Sequence, residues 1–494
     1  MKPGLGGSKQ GLISAWRRNR SGGMLTWFAL ITPALVSVSA LAMDVGRIYA
    51  MENELQSAAD AYVRAAAFEL DGRSDAIERA TQAASNLISN DQRFGQGTNS
   101  SVTVSNLRFL SDIPTSDLDP ITSDYETDIG SEARYVELTV TPETISTMLP
   151  IDIVTGIMSI DLDATAVGGS KQGVCNMAPL FVCNPLEGSG TDIYSVAGSR
   201  SFQRRQLLIM TKGSGSDAKY FPGNFGFLET AGTGADDLKD AMSMVKPGTC
   251  YARDGVELRT GAVASVVDAF NTRFDIYEGG YNSKKNDPDY APAKNVTRGV
   301  SGSNCNQNPD PLAMGLPRDA CHVDGTCTDA GGRLGDGDWD FPTYLEINHG
   351  APASVTINGT TFTINYSARK VFPELPSRYE VYRWEIDNDR IPGSSVYPTS
   401  TTPENGEPQC YSGGTEAGVD RRVMRVAVLD CVALDAQYDI SGGSAPPLPA
   451  RGFWKMFVTE PVEGTSDMQI WGEMVEPITT SNDERAVETA RVVR

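Results

Sequence analysis

The chain has 494 residues and a mass of 53.0 kDa, and it is 40% hydrophobic and 21% charged; at about 100–200 residues per domain this predicts two to four folded domains. Its 42 Lys and Arg against 63 Asp and Glu leave a net charge of −21, which argues against a nucleic acid partner because such binding needs a basic face. His322 and His349 are its two histidines, so a metal site built from several histidines is excluded, and a hydrolase with a histidine base must use one of these two.

The N-terminal region combines a basic segment with an apolar one. Residues 1–23 carry Lys and Arg but no acid, and residues 24–43 carry no charge. A helix of that length spans about 30 Å, the thickness of the hydrocarbon core of a bilayer. Positive charge before the apolar run places residues 1–23 in the cytoplasm. We therefore predict a cytoplasmic basic tail at 1–23, a single transmembrane helix at 24–43 and export of everything after Asp44.

The same stretch fits two other kinds of leader. A secretory signal would have its apolar region near 24–38 and be cleaved after Ala40-Leu41-Ala42, which would release a secreted or surface adhesive protein. A prepilin-like leader would end at Gly22-Gly23, but Phe28 stands where such a leader is followed by an acid. The long basic segment and the full membrane length of the apolar run favour a retained anchor.

Residues 44–170 are predicted to form a helix followed by a small sheet. Apolar side chains recur at helical spacing from Ile48 to Leu70, and residues 34–113 contain no Pro, so the membrane helix and the exported helix can form one rod. Its Ala-rich face suits close packing, either on a partner helix or in the core of this chain. Asp71-Gly72 predicts a break before a second helix. Alternating runs at 101–109, 133–142 and 158–167 predict strands, and Gly168-Gly169-Ser170 predicts a linker.

Residues 171–494 are predicted to form a β-rich domain, which makes the whole chain α+β. Short apolar runs predict strands near 205–212, 354–367, 421–434, 452–460 and 467–475. Asn358-Gly359 lies between two alternating runs and predicts a type I′ hairpin. The best helix candidates lie at 236–245 and 264–274, and long loops are expected at 278–340 and 388–420.

All eight cysteines follow the apolar segment, and an even number of exported cysteines predicts up to four disulfides. They are Cys175, Cys183, Cys250, Cys305, Cys321, Cys327, Cys410 and Cys431. Eight cysteines allow 105 pairings, so the sequence leaves the connectivity open. The shortest separations favour Cys175 with Cys183 and Cys321 with Cys327.

The sequence contains few motifs that indicate catalysis or metal binding. The chain has no phosphate-binding loop, HExxH motif or nucleophile elbow, and we predict no catalytic residue and no cofactor. Asp336, Asp338 and Asp340 alternate as ligands of Ca²⁺ do, but Phe341 and Ile347 stand where an EF-hand needs Gly and Glu. A solvated acidic turn with Trp339 in the core is the simpler interpretation. His349 is interpreted as a structural histidine.

The opening of the chain resembles the TadE/TadG-like proteins of the tight-adherence (Flp) pilus system. Gly22-Gly23 is followed by an uncharged run with Phe28, Ala29 and Pro33, then by Asp44-Val45-Gly46 and by Leu55-Gln56-Ser57-Ala58-Ala59-Asp60-Ala61. Later segments resemble the cysteine-containing C-terminal part of TadG-like proteins. Many of those proteins carry a von Willebrand A metal site, D-x-S-x-S, whereas here Asp192-Ile193-Tyr194-Ser195 is followed by Val196 and Ala197.

The resemblance implies a non-enzymatic component of pilus assembly, anchored once in the bacterial inner membrane with its bulk in the periplasm. Its partners would be other Tad/Flp assembly proteins or pilin-like subunits, with a homo-oligomer as a further option. The residues that carry this implied assembly role on the helix are Asp44, Gly46, Leu55, Gln56, Ala58, Ala59 and Asp60.

Overall fold

A computed structural model gives the architecture of the chain. It describes residues 23–86, 91–93, 99–114, 116, 118–130, 132–141, 143–146, 159–212, 218–230, 232, 234–259, 266–299, 313–397, 404–413, 418–442, 445–463 and 468–494. The basic tail at 1–22 and Cys305 lie outside these residues.

The first element is one continuous helix, α1 (Gly23–Phe68), of 46 residues. At 1.5 Å per residue it is about 69 Å long, so the prediction that residues 24–43 and the helix that follows them form one rod is confirmed. Gly72, in the left-handed region with φ +83°, lies in the turn that reverses the chain into α2 (Ala76–Asn86). Arg79 of α2 fixes this turn because its guanidinium pairs with Asp71 at 2.6 Å and with Glu69.

A five-stranded antiparallel sheet covers the second half of α1. Its strands are β3 (Val104–Leu110), β4 (Tyr135–Val140), β7 (Thr165–Cys175), β11 (Cys250–Ala252) and β18 (Ala486–Val492). The long central strand β7 pairs with β4 and β11 on one side and with β18, from the end of the chain, on the other. Helix α1 packs on β4, β7 and β18.

The linker predicted at Gly168-Gly169-Ser170 is wrong, because these residues lie in the middle of β7. Glycine is used here for close approach rather than for flexibility. A Cβ on Gly168 would lie 3.0 Å from the Val63 Cγ1 atom of α1, and one on Gly169 would lie 2.7 Å from the Tyr135 ring. The boundary predicted at residue 170 therefore falls inside a strand.

The larger part of the molecule is built on a closed six-stranded barrel. Its strands are β8 (Leu180–Cys183), β9 (Gln206–Thr211), β10 (Asn224–Phe227), β15 (Val423–Leu429), β16 (Gly452–Val458) and β17 (Gln469–Pro477). They follow one another around the barrel in the order β10-β8-β15-β16-β17-β9. The β10–β9 and β8–β15 pairs are parallel and the others are antiparallel. Strand β15 is buried along its whole length because its two faces belong to different apolar clusters, with Val426 in one and Ala427 in the other.

A three-stranded sheet and two helices pack against the barrel in a third apolar cluster. The hairpin between β12 (Ser354–Ile357) and β13 (Thr360–Asn365) turns at Asn358-Gly359, both with positive φ as predicted. Strand β14 (Lys370–Phe372) completes the sheet. Helices α8 (Phe341–His349) and α9 (Arg378–Asp387) were not predicted. Their buried faces include polar side chains, Asn348 and His349 in α8 and Arg378 and Glu385 in α9, which interrupt the apolar helical pattern.

The remaining elements are short. The predicted helix at 236–245 is α5 (Ala235–Ser243), and that at 264–274 is α6 (Val266–Asn271) followed by a 3-10 turn. The predicted strand at 421–434 ends as α10 (Cys431–Tyr438). The others are β1 (Asp91–Arg93), β2 (Asn99–Ser101), β5 (Glu143–Ser146), β6 (Ser159–Leu162), α3 (Ile193–Val196), α4 (Arg200–Gln203) and α7 (Ala320–Asp324). The predicted α+β class, with a helix and small sheet before a β-rich part containing disulfides, is confirmed.

Three disulfides are formed among the described residues. Cys321 and Cys327 pair as predicted. The predicted pair of Cys175 and Cys183 is wrong: Cys175 bonds Cys250 across the β7–β11 ladder, and Cys183 at the end of β8 bonds Cys431 at the start of α10. Strand pairing, which brings distant segments together, overrides closeness in sequence.

Candidate functional site

The first half of α1 carries a surface that is exposed and apolar. Trp27 is 67% exposed and Leu30 is 73% exposed, and apolar side chains continue in this state along the helix. The other exposed large apolar residues before residue 50 are Phe28, Ile31, Leu35, Val36, Val38, Leu41, Met43, Val45 and Tyr49. Among the described residues, α1 is the one helix long and apolar enough to cross a membrane. Burying such a surface in lipid is favourable, whereas leaving it in water is costly.

The first charges of α1 lie close together near the end of this surface. Asp44 is 2% exposed, and its carboxylate lies 3.6 Å from the Arg47 guanidinium one turn later. Gly46 lies between them on an open side of the helix, where an added Cβ would meet no atom within 4 Å. Asp44 and Gly46, both predicted assembly residues, therefore lie near the end of the apolar surface.

The second half of α1 is part of the core. Leu55, Ala59 and Val63 are fully buried under the sheet. Tyr62 fixes the helix further because its hydroxyl donates to the Val102 carbonyl oxygen at 2.9 Å. Helix α1 is thus held by one end, and the exposed apolar half extends from that fixed end.

The predicted assembly residues divide between the core and the surface of this second half. Ala58 and Ala59 are buried with Leu55 inside the chain's own core, which is the second of the two alternatives that the Ala-rich face left open. Gln56 is exposed and its side-chain amide donates to Asp60 at 3.0 Å. The sequence indicated small residues suited to close packing, and the structure shows that α1 packs on α2, β4, β7 and β18 of the same chain.

Neither histidine belongs to a reactive constellation in the described part of the chain. His349 is buried with its Nε2 atom 2.8 Å from the Glu385 carboxylate, and Glu385 also accepts from Tyr344 and Asn295. His322 donates through Nε2 to the Gln206 carbonyl oxygen at 3.1 Å.

Two of the three aspartates predicted as calcium ligands accept hydrogen bonds from the backbone, one within a loop and one at the start of a helix. Asp340 is the N-cap of α8 and accepts from the Thr343 backbone N–H at 3.1 Å, and Asp336 accepts from the Asp338 backbone N–H at 3.0 Å. Trp339 between them is buried, and its indole N–H donates to the Pro376 carbonyl oxygen. Within the described ranges, no three His, Cys, Asp or Glu side chains form a group that could hold a metal ion.

These features define a class of protein: an α+β chain in which, among the residues that the structure describes, one helix is exposed and apolar in its first half and rooted in the folded core by its second half. Residues 22–69 match the family model described as "Putative Flp pilus-assembly TadE/G-like". The matched residues cover α1, so the resemblance to TadE/TadG-like proteins is confirmed for this segment and associates it with the Flp pilus machinery. No curated protein matches the chain. No solved structure matches it either.

Proposed function

We propose that this protein is a non-enzymatic, membrane-anchored scaffold of Flp/Tad pilus assembly. The observation that carries the proposal is the division of α1, which is exposed and apolar before residue 50 and buried in the core after it. The same helix is the segment that matches the pilus-assembly family. One rigid element thus joins a membrane-length surface to the folded part.

The proposed location is the inner membrane, with the folded part in the periplasm. The basic residues before α1 favour a cytoplasmic N-terminus, and the disulfides suit an oxidising compartment. Because α1 continues from the apolar surface into the core without a break, the folded part is held at a fixed distance and angle from the bilayer.

The proposed partners are other Tad/Flp assembly proteins or pilin-like subunits, with a second copy of this chain as a further candidate. The apolar half of α1 is the surface that we assign to them, because helices in lipid associate through packing along such faces. The open side of Gly46 lies at the end of this surface. The buried Ala58 and Ala59 are excluded from this contact by the sheet that covers them.

The absence of an enzymatic role is supported by the surroundings of the two histidines. His349 is enclosed by hydrogen-bonded side chains, and His322 packs against Trp471 at a ring distance of 4.9 Å. Asp192, the position at which a von Willebrand A site would begin, caps α3 and pairs with Arg451 at 2.8 Å.

The test is deletion of the gene and complementation in trans with three forms: the natural chain, Leu35→Arg and Leu35→Ala. Leu35 is exposed in the middle of the apolar half. An Arg at the centre of a spanning helix costs about 2.5–3.5 kcal/mol on insertion scales, whereas Ala keeps the helix apolar. We expect the natural chain and Leu35→Ala to restore surface filaments counted by electron microscopy. Leu35→Arg should leave the protein out of the membrane fraction and the cells without filaments.

Normal filaments in the deletion strain would contradict the proposal. Normal filaments with weakened surface attachment would favour the secreted or surface adhesive protein instead, and the intact mass of the mature chain then shows whether cleavage after Ala42 has occurred. Membrane retention of Leu35→Arg with full filament counts would show that the apolar half of α1 is not the anchor.

A further inference from the structure

A cavity of about 220 Å³ lies where the N-terminal sheet meets the segments after β11 and α10. Its apolar floor contains Leu70, just beyond the end of α1, with Tyr438, Pro447 and Pro449. Four basic side chains line it, from four distant parts of the sequence: Arg134, Lys171, Arg253 and Arg491. Only two acidic side chains line it, Asp112 and Asp254. The wall therefore carries an excess of about two positive charges in a chain whose net charge is −21.

The positive charges are only partly neutralised within the protein. Lys171 pairs with Asp254 at 3.4 Å. Among the described residues, Arg134 and Arg491 form no ion pair. Both keep some exposure at the rim of the cavity, where a guanidinium can turn toward a bound group.

Arg253 is the buried member of this cluster. It is 9% exposed, its Nη1 atom donates to the Gln172 amide oxygen at 3.3 Å, and its Nε atom has no hydrogen-bond partner in the described part of the chain. Burial, together with repulsion from Arg134, lowers its pKa below the usual value. A buried donor without a partner is costly, and this incompletely paired guanidinium belongs to a residue that lines the cavity.

The turn after α1 is shaped around this arginine. A Cβ on Gly72 would lie 2.1 Å from the Arg253 Nη2 atom, so the guanidinium occupies space that only glycine leaves free. The turn, through Gly72, and β7, through Gln172, hold the cation at this depth.

We propose that this cavity is a binding site for a dianionic oxyanion, either a phosphate group or a pair of carboxylates. Guanidinium groups match the planar geometry of carboxylate and phosphate oxygens, and a dianion balances the excess charge of the wall. The cavity volume suits a group of this size better than an extended chain. The anionic surface of a bilayer is too far away to be the source, because Leu70 lies 26 residues beyond Asp44, about 40 Å along a helix, and the charge of a membrane surface is screened within about 8–10 Å.

The experiment is isothermal titration of the full-length protein in detergent with two probes, inorganic phosphate and succinate, at low ionic strength. The variant is Arg134→Gln combined with Arg491→Gln, because both residues are at the rim and their loss leaves the core intact. The matched control is Arg369→Gln, an exposed arginine outside the cavity that pairs with Glu346. Thermal unfolding of each form checks that the fold is retained.

We expect saturable binding of one equivalent that is unchanged in Arg369→Gln and weakened about tenfold or more in the double variant, since each charged hydrogen bond contributes about 1.5–3 kcal/mol. Binding of phosphate alone would assign the site to a phosphoryl group, and binding of succinate alone to carboxylates. Absence of saturable binding for both probes, or equal affinity in the natural and double-variant proteins, would overturn the proposal.

Discussion

Arg378 shows how single buried charges connect the parts of this molecule. Its guanidinium donates to Asp319 at 2.6 Å and to Glu473 of β17 at 2.8 Å, and it lies 4.9 Å from the centre of the Trp339 ring. All three charged side chains are fully buried. A buried ion pair adds little net stability, but removal of one partner leaves an uncompensated charge. Arg378 therefore fixes the position of α9 on the barrel and adds little to the net stability of the fold.

We expect Arg378→Met to lower the free energy of unfolding by about 3–5 kcal/mol, because two buried carboxylates lose their counter-charge. The matched control is Arg369→Met, which breaks an exposed pair at 3.1 Å and should change stability by less than about 1 kcal/mol. Urea unfolding followed by tryptophan fluorescence measures both. Equal effects of the two substitutions would show that the buried network does not hold α9.

His322 gives the fold a pH dependence. Burial lowers its pKa below the usual value; its hydrogen bond to Gln206 and the charges of Asp319 and Asp336 oppose this, and Arg378 reinforces it. The unfolded chain then binds the proton more readily than the folded chain. The contribution of neutral His322 to the free energy of unfolding is therefore complete above a pH of about 6.5 and is lost as the pH falls below it. We expect the urea midpoint to fall between about pH 7 and pH 5.5, and to fall less in His322→Gln. Parallel curves for the two proteins would contradict this.

At the scale of elements, the contact between α1 and β7 depends on glycine. A side chain at Gly168 would meet the Val63 side chain and carbonyl oxygen, the latter at 3.2 Å, and neither can move without moving the helix. We expect Gly168→Val to destabilise the chain by about 1–3 kcal/mol through overpacking. Gly198→Val is the control, because an added Cβ there meets no atom within 4 Å. Thermal unfolding distinguishes them, and an unchanged melting temperature in Gly168→Val would show that the helix is not held against the strand there.

The elements that could be predicted are those whose pattern is local. Helix α1 has an uninterrupted apolar run and then a regular helical repeat, and the hairpin at Asn358-Gly359 has its turn residues in the sequence. Strand β7 could not be predicted at Gly168-Gly169, because its glycines are there for neighbours that only the fold brings close. The basic cavity was missed for the same reason: Arg134, Lys171, Arg253 and Arg491 are far apart in the sequence.

At the scale of the whole molecule, the two ends of the described chain meet in one unit. Strand β18 pairs with β7 from Ala486 to Val492, and Glu488 accepts hydrogen bonds from Ser170 and Gln172. The barrel, and the three-stranded sheet and two helices packed against it, therefore lie in the sequence between β7 and β18 rather than following a finished first domain. A sequence that is divided into successive segments cannot show this, because the pairing joins residues more than 300 positions apart.

This closure predicts that the first unit depends on the last strand. Ending the chain after residue 484 removes the partner along one edge of β7, and leaves its N–H and C=O groups without strand partners above the core of α1. We expect such a chain to show faster hydrogen exchange and proteolysis in β4 and β7 while the barrel stays protected. A synthetic peptide of residues 485–494 added in trans should restore protection, because strand addition to an open edge re-forms the ladder. Unchanged protection in the shortened chain would mean that the helix and the remaining strands hold the unit by themselves.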